Sequence, residues 1–310
     1  MNKQGGRVLG VVPLGAIVAA TPPDVAAHIL IRACYDLAFA SRDSVLRGDD
    51  ARAIRDTHLA VRRLRTALWT FRRAYPKGRA RVMGEALHRV ARPLAIVRVA
   101  DVSLAVLRST LGGTSARERP GVTAALDVVR ERRRNALGSL AIELSQFDRT
   151  PHDARSRMRE RTIAKFLARA VRRSAERVDD LGALALSRAR RGDLRRLQLA
   201  LERLGHELEF ARALAPEPVA VALNRLAFLE EPLVSLADLD GFERSYEALL
   251  ATLNSQDERR PGIESLRASA RRGRELALAK VRAAWPDGGS DQALAASISA
   301  AVGSLSPNDA

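Results

Sequence analysis

The sequence predicts an all-α protein, and three observations lead to that class. No segment alternates apolar and polar residues with the period of two that a half-buried strand requires. Ala, Leu, Val and Arg dominate while aromatic residues make up only 4% of the chain, a composition suited to helices packed through aliphatic side chains and poor in sheet-forming material. Apolar residues recur at spacings of three and four between Pro and Gly punctuation from one end to the other. With 310 residues, 46% of them hydrophobic, the chain can bury a large core, as one domain or two packed halves.

Thr21-Pro22-Pro23-Asp24 reads as a helix start, with apolar spacing to about Leu46 and a stop at Gly48. A second helix opens at Asp49-Asp50 and runs to Tyr75, before Pro76 and Gly78. A third covers about 79–92 and ends at Pro93, and a short fourth covers about 101–111, stopped by Gly112-Gly113. Gly121 introduces a fifth, about 122–146. Beyond Pro151 a sixth runs about 153–178, with a short helical turn at 180–190. Gly192-Asp193 opens a long helix to about 214, closed by Pro216 and Pro218. Helices at about 219–230 and 239–254 follow, and 257–285 is the last long element, ended by Pro286 and Gly288-Gly289. The remaining tail is small and polar, with room for one loose helix. The order of long and short helices in 24–146 recurs coarsely in 153–285, each half led by a long Arg-rich helix (50–75 and 193–214). The expected organisation is an N-terminal arm (1–20), two related antiparallel helical bundles (21–150 and 151–286, an internal duplication) and a C-terminal tail (287–310).

The formal net charge is +16, from 52 Lys+Arg against 36 Asp+Glu, and only Lys3, Lys77, Lys165 and Lys280 are lysines. A GC-rich genome explains Arg in place of Lys, but not the excess of positive over negative charge. That excess repels itself in the folded state unless an anionic partner neutralises it. The planar guanidinium fork matches phosphate oxygens bidentately, so a phosphate-rich partner is the leading expectation. Cys34 is the only cysteine, which excludes an intrachain disulfide and a thiolate metal site and fits a reducing, cytoplasmic compartment. No apolar run reaches membrane-spanning length. Lys3 and Arg7 ahead of Val8–Ala20 outline a signal peptide, but Gly10, Pro13 and Gly15 interrupt the run and Thr21-Pro22-Pro23 suits cleavage badly. The segment reads instead as a retained arm packing on the domain.

The stretch Arg55-Asp56-Thr57-His58-Leu59-Ala60-Val61-Arg62-Arg63-Leu64-Arg65 is the most informative. On a helix Arg55, His58, Arg62 and Arg65 stand at i, i+3, i+7 and i+10, one stripe of potential cations. A solvated face usually intersperses Glu at i+4, whereas Asp56 is the only acid nearby. The stripe therefore suits an anion lying along it; a plain solvated basic face is the alternative. Further stripes occur at Arg161, Lys165, Arg169 and Arg172, at Arg267, Arg271, Arg274 and Arg282, and at Arg130, Arg133 and Arg134. Each of these alone reads more readily as surface.

The first stretch resembles, without gaps, the His-Asp-x-Arg-Val-x-x-Arg-Arg-x-Arg signature of the CHAD family (conserved histidine α-helical domain). Asp56, Arg62, Arg63 and Arg65 match, while Arg55 and His58 stand where the family has histidine and arginine. Leu94, Arg98, Asp101 and Val102 match a second pattern, Leu-Gly-x-x-Arg-Asp-x-Asp-Val, with Val99 replacing its first Asp. In the second half only Arg203, Glu209 and Phe210 match the family motif outright; Arg195 takes the histidine's place, and Glu202 and Gly205 replace cations. The resemblance spans about residues 24–285. It implies two bundles facing across a basic central cavity that binds inorganic polyphosphate, with Arg55, His58, Arg62, Arg63, Arg65, Arg98, Arg161, Lys165, Arg169, Arg195 and Arg203 as candidate ligand-binding residues. The worn second motif implies a grip leaning on the first half. It also implies a cytoplasmic, non-catalytic protein, associated with polyphosphate granules in one reading.

Few aromatics suit a polyphosphate chain better than single-stranded nucleic acid, where stacking contributes about 1–3 kcal/mol per base. Weak binding of nucleic acid through charge, or a helical scaffold with an exposed basic surface, is the competing expectation. No His-Glu-x-x-His, Walker loop, Gly-x-Gly-x-x-Gly or Gly-x-Ser-x-Gly occurs, and His28, His58, His88, His152 and His206 are scattered. Glu207-Leu208-Glu209-Phe210-Ala211 lacks the Lys of the Glu-x-Glu-x-Lys strand in the triphosphate-hydrolysing domain that often accompanies the family. The expectation is a binding protein with no catalytic residues, no cofactor and no metal.

Overall fold

A computed structural model describes residues 17–76, 78–147, 160–285 and 291–305. These residues form ten α-helices and one 3-10 turn, with no strand among them. The helices are α1 (Pro23–Phe39), α2 (Arg42–Arg47), α3 (Ala51–Thr70), α4 (Arg79–Leu111), α5 (Arg119–Gln146), α6 (Ile163–Arg188), α7 (Arg191–Ala211), α8 (Pro216–Leu250), α9 (Arg260–Ala284) and α10 (Gln292–Leu305); the 3-10 turn, Arg72–Ala74, follows α3. Local chemistry sets several ends. Pro23 opens α1 at its first position. Asp50 caps α3, its carboxylate accepting from the amides of Arg52 and Ala53 at 2.8 and 3.1 Å. Gly48, at φ +73°, closes α2.

Pro93, expected to end a helix, lies inside α4, and the helices expected apart at about 219–230 and 239–254 are one helix, α8, that passes through Pro232. An internal proline costs about 3 kcal/mol. Each lies within a continuous buried stripe, Val90, Leu94 and Val97 in α4 and Leu229, Leu233 and Leu236 in α8. Burying one such side chain contributes about 1.5–3 kcal/mol, so keeping all three outweighs the lost hydrogen bond. The turn expected at 180–190 likewise belongs to α6.

The same neighbour order occurs in each half: α3 packs on α4 and α4 on α5, then α7 on α8 and α8 on α9. Arg133 of α5 donates to Asp101 of α4 at 2.6 Å, and Arg274 of α9 donates to Asp240 of α8 at 2.6 Å. The main core runs from Ile17 to Leu305 through both halves, with α3 against α7 at its middle. A second cluster joins the far ends of the two long hairpins, with Leu104, Leu107, Val122 and Leu126 against Phe242, Tyr246, Ile263 and Leu266. There Gly121 and Gly262 bring the starts of α5 and α9 into backbone contact; a Cβ on Gly262 would lie 2.0 Å from the Glu118 carbonyl.

The first and last described segments both dock on α6. The carbonyls of Thr21 and Ala19 accept from the first amides of α6, Ile163 and Ala164, at 2.8 and 3.4 Å. Ala19, near the end of the expected arm, and Thr21, just beyond it, thus satisfy donors the helix leaves open; residues 1–16 lie outside the described residues. The loose polar tail is corrected: α10 buries Leu294, Ile298, Ala301, Val302 and Leu305 against α6 and α8. Asp291 caps it, accepting from the Leu294 amide at 2.9 Å, and Arg225 of α8 holds that carboxylate. The alanine and serine spacing that looks merely polar conceals a narrow apolar face.

Candidate functional site

α3 carries the expected stripe, but its four members do four different things. His58 is buried, 8% exposed, with Nδ1 lacking a hydrogen-bond partner. Burial first, then the guanidiniums of Arg62, Arg98, Arg195 and Arg65, push its pKa down to about 3. His58 is therefore neutral at physiological pH, which corrects its expected place among the cations. Arg62 is driven down to about 9, by burial and then by Arg195, Arg98 and Arg65, with Glu230 opposing. Arg65 and Arg195 are lowered too, chiefly by burial. Four guanidiniums from three helices, α3, α4 and α7, thus press on one neutral imidazole.

Acids relieve part of this charge. Arg62 pairs with Glu202 of α7, and Arg98 with Asp238 of α8 at 2.9 Å. Arg195 donates to Gln198 at 2.6 Å, and Gln198 donates to Glu202 at 3.1 Å, a relay that ends on the carboxylate held by Arg62. The Thr66 hydroxyl and His206 Nδ1 lie 3.0 Å apart one turn further along both helices.

Arg55 does not join the cluster. It stands about 10 Å back along the axis from Arg62, 62% exposed beside Asp56. Arg63, about 100° round the helix from Arg62, is buried and bonds Glu209 through Nε and an Nη at 2.9 and 2.7 Å. Its charge clamps α3 to α7 and does not reach the hollow. Arg161, ahead of α6, and Lys165, in its first turn, are exposed, and Arg169 donates to Glu160 at 2.6 Å. Arg130 and Arg134 pair with neighbours on their own helix, while Arg133 links α5 to Asp101 and to the Gly48 carbonyl.

Next to the cluster lies a hollow of about 820 Å³, lined by Arg62, Arg65, Arg72, Arg73, Arg81 and Arg203, with Glu202 the only acid in its wall among the described residues. A smaller one of about 460 Å³, reached by Arg169, Arg173 and Arg177, shares Trp69, Arg72, Arg73, Leu199 and Arg203 with it. Arg203 lies over the Trp69 ring at 3.7 Å and Arg72 at 4.7 Å. Beneath the smaller hollow, Glu207 accepts from Thr70 and Ser174 at 2.8 and 2.6 Å, and burial raises its pKa. Sequence reasoning missed Trp69, Arg72 and Arg73. Trp69 and Arg72 continue the same steps of four and three from Arg65, so the signal was present.

Among the described residues no group of His, Cys, Asp and Glu could hold a metal ion, and no helix is long and apolar enough to cross a membrane. Cys34 is buried, and burial pushes its thiol up to about 12, leaving little thiolate for reaction.

An all-helical chain with this motif order defines a class: the CHAD domain family model matches residues 29–241, and the protein belongs to the CHAD domain family. Two solved structures share the fold. The CHAD domain from the plant Ricinus communis is 19% identical with a TM-score of 0.67, covering 87% of this chain and 94% of its own. PptA from Streptomyces chartreusis is 18% identical with a TM-score of 0.59, covering 86% of this chain and 100% of its own. No curated protein matches in sequence.

Proposed function

We propose that this protein binds inorganic polyphosphate without transforming it, along a path from Arg98 and Arg195 past Arg62 and Arg65 into the hollow beside α3 and α7. The observation that carries this reading is the convergence of Arg62, Arg65, Arg98 and Arg195, from three helices, around a buried neutral histidine beside an arginine-lined hollow. Such a field favours an incoming polyanion, whose oxygens suit guanidinium forks on every side. Membership of the CHAD domain family supports it. The recurring neighbour order and the paired Arg133–Asp101 and Arg274–Asp240 bridges support the duplicated two-bundle architecture that goes with it. A cytoplasmic location at polyphosphate stores completes the reading; it calls for no cofactor and no catalytic group.

The test is competition binding with long-chain polyphosphate and duplex DNA at equal phosphate concentration. Polyphosphate should bind tightly, resist displacement by DNA and weaken steeply with salt. Arg65→Glu with Arg195→Glu should lower affinity far more than Arg188→Glu with Arg190→Glu, a pair exposed at the α6–α7 junction. Equal losses from both pairs, or easy displacement by DNA, would favour nucleic-acid contact through general surface charge.

A further inference from the structure

We propose that the hollow over Trp69 binds a nucleoside polyphosphate, its base on a shelf formed by Trp69 and Leu199 and its phosphates among the surrounding arginines. Trp69 of α3 and Leu199 of α7 are 43% and 45% exposed, and among the described residues they are the only exposed large apolar side chains lining either hollow. Both belong to both hollows, so they form the ridge between them. An inorganic polyphosphate chain has no apolar surface and makes no use of this ridge. A heterocyclic base does, since it stacks on an indole or on a guanidinium plane.

Arg203 and Arg72, 3.7 and 4.7 Å from the ring centre, hold the indole in place and set positive charge beside it. The larger hollow has six arginines against Glu202, which is already taken by Arg62. At about 820 Å³ it lies in the range of pockets that enclose an organic ligand of nucleotide size. One exposed ring provides a platform for one base, which favours a single nucleotide over a strand. The inference shares Arg62 and Arg65 with the polyphosphate reading but does not depend on it.

The chain has two tryptophans, and Trp285 is 2% exposed, so ligand-induced quenching reports Trp69. Metal-free ATP should quench the emission and bind about tenfold more tightly than inorganic tripolyphosphate, the increment of one stacked base. In calorimetric titrations on the folded variant Trp69→Ala should erase that preference, bringing ATP and tripolyphosphate to equal affinity; Trp69→Phe should retain most of it. Equal affinities for ATP and tripolyphosphate in the unaltered protein would overturn the proposal, as would a Trp69→Ala loss shared equally by both ligands. An oligo-dT that binds more than tenfold tighter than ATP would also overturn it, in favour of a strand. Long-chain polyphosphate titrated into the same preparations separates the two readings, because its failure beside retained ATP preference removes the polyphosphate reading alone.

Discussion

Glu202→Gln tests how the charge in this hollow is balanced. The carboxylate is about nine-tenths buried, pairs with Arg62, accepts from Gln198 and lines the larger hollow. Neutralising it has two effects of opposite sign. Arg62, with a side chain 20% exposed, keeps its charge but loses its partner, which costs the folded protein about 3 kcal/mol, the lower end for breaking a buried pair. A phosphate about 6 Å from the former carboxylate escapes a repulsion of about 1.4–2.8 kcal/mol at effective dielectric constants of roughly 20–40, or about 10- to 100-fold in affinity. The variant should therefore melt lower when free, bind long-chain polyphosphate more tightly, and show a larger ligand-induced rise in melting temperature. Calorimetric titration at about 0.15 M salt, where the Debye length is about 8 Å, together with thermal melts, measures all three. A folded variant whose affinity is unchanged or weaker would refute the reasoning, because Glu202 would then not face the ligand path.

Other expectations follow from the same packing. His58 has a folded-state pKa of about 3 against an ordinary value of 6.5, so the unfolded chain binds the extra proton and stability is lost as pH falls from about 6.5 towards 3. The loss is about 1.4 kcal/mol per pH unit within that window, and denaturant melts should show His58→Gln without this component. Arg63→Met should lower stability by up to about 3 kcal/mol by leaving the partly buried Glu209 without its partner, yet leave polyphosphate affinity nearly unchanged in titrations below the melt. Gly262→Ala should destabilise by at least about 1–3 kcal/mol through overpacking against the Glu118 carbonyl. Gly138→Ala, inside α5 with nothing within 4 Å of the new Cβ, should instead stabilise by roughly 0.5–1 kcal/mol; equal effects in the two melts would refute the close crossing of α5 and α9.

The α3 stripe shows how much of the site was legible. The steps from Arg55 through His58 and Arg62 to Arg65 are local, and they extend to Trp69 and Arg72 at the same rhythm. Arg-Pro-Gly at 119–121 and again at 260–262 marks the paired starts of α5 and α9, a repeat written plainly in the chain that the coarser reading of helix order passed over. Glu202 was legible only as a lost cation. That it neutralises Arg62 rests on a partner 140 positions away, and no local pattern encodes that distance. Arg62 and Arg63 look alike in sequence, and only the position of α7 makes one face the hollow and the other a clamp.

What the sequence determined by itself was what neighbours three and four residues apart can determine: the helical class, most helix boundaries, the sign of the charge and the stripe that bears it. The tertiary structure decided which arginines remain available, because acids of α7 and α8 pair with Arg62, Arg63 and Arg98 of α3 and α4. It decided that His58 stays neutral, since burial and guanidiniums from α3, α4 and α7 act on it together. It also carried α4 and α8 through their prolines, because burial along a shared core outweighs a local preference that the sequence states correctly but cannot weigh against contacts it does not contain.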